Sequence, residues 1–141
     1  MITNQKIEQA YSFLKQNEDL AFATVGSDGK PKIRVFQVMK IDEQTNTIYF
    51  ATAPGKEVFK QLKNNPSVEM LAMSGNISVR IAGDAIFDVP DSMGEEIYFA
   101  NPVLSRLYED YRKLAYFRVP VKTLDYFDLS TNPPTFKNYT L

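Results

Sequence analysis

Histidine and cysteine are both absent from the 141 residues of the chain. Without cysteine, a disulfide framework, a cysteine-ligated zinc, an iron–sulfur cluster and a thiol nucleophile are excluded. Without histidine, there is no Ser-His-Asp triad, no imidazole general base, no histidine-ligated zinc and no histidine ligand for haem. If the protein does chemistry, we therefore expect an organic cofactor to supply the reactive group.

Long apolar segments are missing as well. No run approaches the roughly 18 consecutive apolar residues of a membrane-spanning helix, and residues 1–5 do not begin an apolar signal peptide. We therefore expect a soluble cytoplasmic protein. A hydrophobic fraction of 44% in a chain of 141 residues predicts one globular domain over residues 1–141.

Acidic residues do not group in the pattern of a metal site. Asp42 is followed by Glu43, and Glu95 by Glu96, but neither pair has the spacing of a calcium-binding loop. Both pairs are typical of solvated charges in turns and helices. We therefore expect no bound metal.

Positive charge is concentrated in the middle of the chain. The net charge is −1, yet residues 30–63 contain seven basic and three acidic residues, which gives this segment +4 and leaves −5 for the remainder. Such a local excess favours a compact anionic ligand over nucleic acid, because nucleic-acid binders usually carry a broad basic stripe. A solvated lysine face that binds nothing is the alternative.

The most informative segment is residues 47–66, TIYFATAPGKEVFKQLKNNP. An apolar strand breaks at a Pro-Gly pair and opens into a helix with Lys56 in its first turn. Free N–H groups at a helix N-terminus, the Thr52 hydroxyl and a lysine together predict a phosphate site. A Walker A loop is excluded, because its spacing needs Gly at Phe50 and Ser or Thr at Glu57. A plain surface helix with solvated lysines is the other interpretation.

Hydrophobic periodicity predicts an amphipathic helix over residues 3–16, capped by Thr3 or Asn4. Its buried face would carry Ile7, Ala10, Tyr11 and Leu14. Short apolar runs bounded by turn residues predict strands over 20–25, 32–41, 47–53, 67–73, 76–89, 115–120 and 121–129. Within the fifth of these, Gly83 predicts a bulge or a barrel corner.

Three further segments are predicted to be helical. One spans 56–64, one begins at a capping box of Ser92 and Glu95, and one follows Pro102. The last would use Leu104, Leu107, Tyr108 and Tyr111 at helical spacing. The polar tail from Ser130 is expected to extend freely or to reach a neighbouring subunit.

Antiparallel strands in hairpins, interrupted by helices, predict a small β-barrel with helices outside. On the strand over 32–41, alternation puts Arg34 and Phe36 on one face. A charged residue beside an aromatic suggests the wall of a site, whereas an arginine that reaches to solvent at a sheet edge is the other reading. Tyr98, Tyr108, Tyr111 and Tyr116 could line a substrate pocket, although aromatic packing at helix and strand spacing explains them better.

Residues 27–36, SDGKPKIRVF, and 47–66 together resemble the FMN-binding split β-barrel family related to pyridoxamine 5′-phosphate oxidase. The order of elements is also similar, from an N-terminal helix through a G-x-P-x-x-R strand to a lysine-bearing helix closed by Asn-Pro. The resemblance covers residues 3–128. It implies a mainly β fold with helices, a six- or seven-stranded antiparallel split β-barrel, and a homodimer with FMN at its interface.

The resemblance also implies which residues hold the flavin phosphate. Arg34 and Lys56 would contact it, and Thr52 would donate its hydroxyl. Lys60 and Gln61 are further candidates, since the turn of the helix decides which of them faces the site.

The flavin ring would lie along the G-x-P-x-x-R strand. Val35, Phe36 and Gln37 would run beside the isoalloxazine, partly through backbone groups that contact its pyrimidine edge. Ala51 would be the small residue beneath the ribityl chain.

The chain departs from the oxidase itself, because it lacks the C-terminal Arg/His segment that grips pyridoxal phosphate and has no histidine anywhere. The resemblance then implies an oxidoreductase that passes electrons from NAD(P)H to a small organic acceptor. A non-enzymatic flavin carrier or stress-response protein is the alternative. A deazaflavin in place of FMN, and a barrel that docks a partner without any cofactor, are also open.

Overall fold

The computed structural model describes residues 5–141. The strands in that range are β1 Asp19–Val25, β2 Pro31–Gln37, β3 Lys40–Asp42, β4 Thr47–Thr52, β5 Ser67–Ser74, β6 Ile77–Asp84, β7 Ala115–Asp128 and β8 Thr135–Thr140. The helices are α1 Gln5–Gln16, α2 Glu57–Asn64, α3 Asp91–Ala100 and α4 Pro102–Leu107, and a 3-10 turn spans Tyr111–Lys113. None of the helices in this part of the chain has the length and apolar character to cross a membrane.

Neighbouring strands pair antiparallel in the order β2-β1-β5-β6-β7-β4-β3, and β8 pairs with β7 outside this path. The two ends of the path meet where β2 leads into β3. There the Val38 N–H donates to the Glu18 carbonyl oxygen at 2.8 Å, and the Met39 N–H donates to the Tyr49 carbonyl oxygen at 3.0 Å. The strand predicted over 32–41 is therefore two strands, because the chain changes partner here. The predicted antiparallel split barrel is confirmed, with seven strands on the path.

One continuous strand, β7, lies where two strands meeting at Pro120 were predicted. Its residues up to Pro120 pair with β4, and the following residues pair with β6. Proline lacks an N–H and would interrupt a ladder, but here it lies where the strand exchanges partners. The β6 register shifts between Ala82 and Gly83, which confirms the predicted bulge. A Cβ on Gly83 would lie 2.5 Å from the Pro120 carbonyl oxygen, so glycine is required for this approach.

The C-terminal tail forms β8 and pairs with the second half of β7, so the expectation of a free tail is wrong. Its polar side chains find partners across the ladder: Asn138 donates to the Asp125 carboxylate at 2.5 Å. The Phe136 and Phe127 rings meet edge to face, with centroids 5.1 Å apart. Pairing with an existing strand therefore compensates for the weak hydrophobic pattern of the tail.

Four phenylalanine rings fill the centre of the barrel. Phe22, Phe36, Phe50 and Phe117 have ring centroids between 4.8 and 6.1 Å apart. Helix α1 packs on this core, and its predicted apolar face is buried as expected. The predicted cap residues, Thr3 and Asn4, lie outside the described residues.

Residues 91–114 form a second layer against β4 and β7, which we call the cover. Helix α3 begins with Pro90 as its N-cap residue and has no side-chain capping bond within the described chain. The predicted capping box is therefore wrong. Pro90 is itself the extended residue before the helix, and Ser92 lies within the first turn, where it cannot act as the N-cap. Helix α4 ends at Leu107, with the Tyr108 N–H donating to the Leu104 carbonyl oxygen. The predicted extension of that helix to Tyr111 is also wrong.

Candidate functional site

A cavity of about 220 Å³ lies between the barrel and the cover. Strand β2, the end of β4 and the start of α2 form one side, and α4 with the residues after it forms the other. Seven of the nine predicted cofactor-binding residues line this cavity: Arg34, Val35, Phe36, Gln37, Ala51, Thr52 and Lys56. Their role in binding a ligand stays a prediction.

Arg34 is held by one edge of its guanidinium group. Nη1 donates to the Thr24 hydroxyl at 2.7 Å and to the Phe22 carbonyl oxygen at 3.2 Å, with a longer bond of 3.4 Å to the Lys32 carbonyl oxygen. Nη2 donates to Gln61 Oε1 at 2.6 Å. The Thr24 hydroxyl also donates to this Oε1, at 2.7 Å, so threonine, glutamine and arginine form a closed triangle of hydrogen bonds.

The other edge of Arg34 has no partner within residues 5–141. Nε makes no hydrogen bond there, and no carboxylate in that range forms an ion pair with the guanidinium. Burial lowers the pKa of Arg34, but arginine stays protonated at neutral pH. A half-buried cation with free donors and no counter-ion is suited to an oxyanion from outside the chain.

The Thr52 hydroxyl also lacks a hydrogen-bond partner among the described residues. Thr52 is only 4% exposed and lines the cavity. Its Oγ1 is a buried side-chain atom that finds no hydrogen-bond partner among the described residues. Leaving such a group unpaired costs about 1–3 kcal/mol. A ligand atom that pairs with this hydroxyl would remove that cost.

Lys56 brings a second cation to the cavity at the start of α2. It is the N-cap residue of the helix, and its side chain is exposed. The first backbone bond of the helix runs from the Phe59 N–H to the Lys56 carbonyl oxygen, at 3.1 Å. The N–H groups of Glu57 and Val58 precede this bond and belong to the unpaired first turn. The positive end of α2 and the lysine together favour an anion at this corner.

Strand β2 carries the predicted alternation. Arg34 and Phe36 are half-buried on one face, whereas Ile33 and Val35 are exposed on the other, by 71% and 68%. The prediction that Arg34 and Phe36 share a face is confirmed. Because β2 is the last strand of the sheet path, β1 covers only one edge of its backbone.

The side of the cavity formed by the cover is apolar, and only its tyrosine was suggested by the sequence as a pocket residue. It consists of Val103, Leu104, Leu107, Tyr108 and Leu114. The helical spacing of three of these residues was visible, but it is the signature of ordinary core packing. Tyr108 is the only one of the four suggested pocket tyrosines in the described range that lines this cavity.

Lys60 and Gln61 lie outside the cavity. Both line a separate open groove of about 710 Å³ between α2 and the β1–β2 turn. The Lys60 side chain is exposed and lies 4.0 Å from Glu57. Gln61 reaches the cavity only through its hydrogen bond to Arg34.

Solved structures with the same fold cover almost the whole chain. A protein related to general stress protein 26 from Clostridium acetobutylicum superposes with a TM-score of 0.79 at 12% identity, over 99% of this chain and 97% of that one. A NimC/NimA family protein from the same organism gives 0.76 at 22% identity, over 96% and 94%. A pyridoxamine 5′-phosphate oxidase-related, FMN-binding protein from Nostoc punctiforme gives 0.70 at 15% identity, over 100% and 99%. At these identities the likeness establishes the fold alone.

A search of curated protein sequences found no significant match. The family model for pyridoxamine 5′-phosphate oxidase matches residues 7–127, which include β2, β4 and the start of α2. The resemblance seen in the sequence is thereby confirmed, and the chain belongs to the pyridoxamine 5′-phosphate oxidase family.

Proposed function

We propose that this protein is an FMN-binding oxidoreductase that acts as a homodimer. The proposal rests on one observation. Two groups that lack hydrogen-bond partners among the described residues, the free edge of Arg34 and the hydroxyl of Thr52, belong to residues that line one cavity. A phosphate group would pair with both groups, because its oxygens can accept hydrogen bonds from the guanidinium and from the hydroxyl at once. Family membership supports the choice of a flavin.

Each part of the cavity has a separate task in this proposal. Arg34, Thr52, Lys56 and the start of α2 would bind the phosphate, and charge-assisted hydrogen bonds contribute about 1.5–3 kcal/mol each. The free backbone edge of β2 at Val35–Gln37 would orient the ring, and Ala51 would leave room for the ribityl chain. FMN, when bound, supplies the redox chemistry.

A second copy of the chain would complete the site. The cavity of about 220 Å³ is smaller than the roughly 300–1,000 Å³ of typical sites for whole organic ligands. At its edge, Val35 and Leu107 are more than 60% exposed. Val35 also belongs to an apolar outer face of β2, β1 and β5, where register places it in one row with Ala21 and Leu71. Covering this face with a partner would enlarge the cavity and bury the apolar surface.

The substrate side of the proposal rests on the cover. All five cavity residues of the cover are uncharged, and four are aliphatic. We therefore expect an uncharged organic acceptor, reduced at the expense of NAD(P)H. Bound FMN that NAD(P)H cannot reduce would instead favour the alternative, a flavin carrier or stress-response protein. The cytoplasmic location stays a prediction.

The first test is the visible spectrum of the purified protein, followed by titration with FMN and then NADPH under anaerobic conditions. We expect flavin absorption that NADPH bleaches. Arg34→Ala and Thr52→Val should each weaken FMN binding, by about tenfold or more for the arginine. Lys137→Ala is the matched loss of one positive charge, on β8, which contributes nothing to the cavity.

The outcomes separate the readings. Failure to take up FMN, with uptake of a deazaflavin instead, would replace the cofactor but keep the phosphate site. No uptake of either would contradict the proposed function. The homodimer is tested by light scattering, because Val35→Asp should yield monomers and weaken FMN binding together. Monomeric wild-type protein with full FMN affinity would refute the shared site.

A further inference from the structure

Gln61 lies beside the cavity without lining it. Its Oε1 accepts from Arg34 Nη2 at 2.6 Å and from the Thr24 hydroxyl at 2.7 Å. Thr24 is itself only 2% exposed, so its side of the triangle is shielded from solvent. This glutamine therefore contacts the guanidinium at Nη2, next to the Nε that has no hydrogen-bond partner among the described residues.

We propose that Gln61 is a positioning residue, which holds Arg34 so that its free edge points into the cavity and thereby sets the preference for phosphorylated over unphosphorylated flavin. The inference rests on the proposed function. It replaces the direct contact with the cofactor that the sequence resemblance implied for Gln61.

The chemistry of the amide is what makes this role possible. A carboxylate in its place would hold the guanidinium as firmly, but it would also neutralise the charge that an incoming phosphate needs. An amide oxygen is a neutral acceptor, so it orients the guanidinium and leaves the positive charge uncompensated. Arginine loses considerable rotamer freedom on binding, and fixing it beforehand removes that cost from the ligand.

The test compares the dissociation constants of FMN and riboflavin, which differ only in the phosphate. Wild-type protein should prefer FMN. Gln61→Leu should lower this preference about tenfold or more, because the hydrogen bonds affected involve a charged group. Riboflavin affinity should stay unchanged, since the ring contacts are not altered. Gln9→Leu, the same change at an exposed position of α1, is the matched control.

Gln61→Glu distinguishes a positioning role from a merely structural one. It should keep or raise thermal stability through an ion pair with Arg34, yet lose the FMN preference. If Gln61→Leu fails to fold, Thr24→Val removes the other member of the triangle, and Thr24→Ser should restore the preference by restoring the hydroxyl.

Two different results would refute the phosphate site and the positioning role of Gln61 separately. A wild-type protein that binds FMN and riboflavin equally would refute the phosphate site, and with it the proposed function as stated. A wild-type preference for FMN that survives in Gln61→Leu, Gln61→Glu and Thr24→Val would refute the positioning role alone.

Discussion

The barrel interior and the cover both rely on aromatic rings, but they hold them in different ways. In the barrel, four phenylalanines pack ring against ring on strands that are distant in the sequence. In and beneath the cover, tyrosine hydroxyls donate to backbone carbonyl oxygens of the cover that are nearby in the chain. Tyr98 donates to Tyr108 at 2.6 Å, and Tyr116, on β7, donates to Tyr111 at 2.9 Å. Burial is non-directional and cumulative, whereas these bonds are few and local.

The cavity lies at the boundary between these two regions. Its cationic side is built on the rigid barrel, and its apolar side belongs to the cover. We therefore expect the barrel to hold Arg34 and Thr52 in place, and the cover to open at a lower free energy than the barrel.

The largest effect should come from the barrel. Phe50 is fully buried and contacts the rings of Phe22, Phe36 and Phe117. Phe50→Ala should lower the free energy of unfolding by about 3–5 kcal/mol, because it removes buried area and leaves a cavity. Urea denaturation measures this. A loss below about 1 kcal/mol would mean that the ring cluster does not dominate barrel stability.

Alkaline pH should lower the stability of both regions, because each contains a tyrosine hydroxyl that is at least partly buried. Burial raises the pKa of Tyr11, on helix α1 against the barrel core, to about 12, and burial also raises the pKa of Tyr116, on β7 beneath the cover, to about 12. An unfolded tyrosine releases its proton near pH 10, so the folded state retains a proton that the unfolded state loses. Stability is therefore lost as the pH rises from 10 to 12, by about 2–3 kcal/mol for fully buried Tyr11.

Urea unfolding between pH 9 and pH 12 checks this. Tyr11→Phe should be less stable than wild type at pH 8, because the bond to the Asn46 side chain is lost, but its stability should fall less steeply above pH 10. An identical slope in wild type and variant would contradict the assignment.

Gly94→Ala should disturb the cover alone. A Cβ at this position would lie 2.9 Å from the Tyr116 ring. We expect a loss of about 1–3 kcal/mol from overpacking, with faster hydrogen exchange confined to residues 91–114. Gly55→Ala is the control for stability, because its Cβ would meet no atom within 4 Å among the described residues. Equal loss of protection in the barrel strands would show that the two regions unfold together.

The smallest effect should come from Tyr98→Phe. The change keeps the ring and removes only the hydrogen bond to the Tyr108 carbonyl oxygen. The expected loss is about 1 kcal/mol, visible mainly as faster amide exchange in α4. If exchange there is unchanged, this bond does not stabilise the packing of α4 against α3.

Local patterns in the sequence were sufficient for the cationic side of the cavity. Alternation on β2 places Arg34 and Phe36 together, and the break between β4 and α2 places Thr52 at the end of the strand and Lys56 at the start of the helix. Each inference depends on residues close in sequence, where the periods of strand and helix apply directly. The same periods could not decide between Lys60 and Gln61, because the outcome depends on how α2 packs against β1.

The sequence did not predict which strands pair when they are distant in the chain. The continuity of β7 across Pro120 and the pairing of β8 depend on which strands lie alongside, and so does the division of the predicted strand over 32–41. The apolar side of the cavity was missed for a similar reason. Val103 and Leu107 look like ordinary helix packing until the cover is set against β2.

The sequence alone showed that histidine and cysteine are absent and that the central segment is basic, and it predicted an antiparallel barrel and the residues of a phosphate site. The tertiary structure decided how these residues are arranged. It brought Arg34 and Thr52 to one cavity, left the Thr52 hydroxyl without a partner within the described residues, and joined Gln61 to the arginine by a hydrogen bond. The reason is physical: residue types and short-range periodicity are encoded locally, whereas hydrogen-bond satisfaction depends on groups brought together from distant parts of the chain.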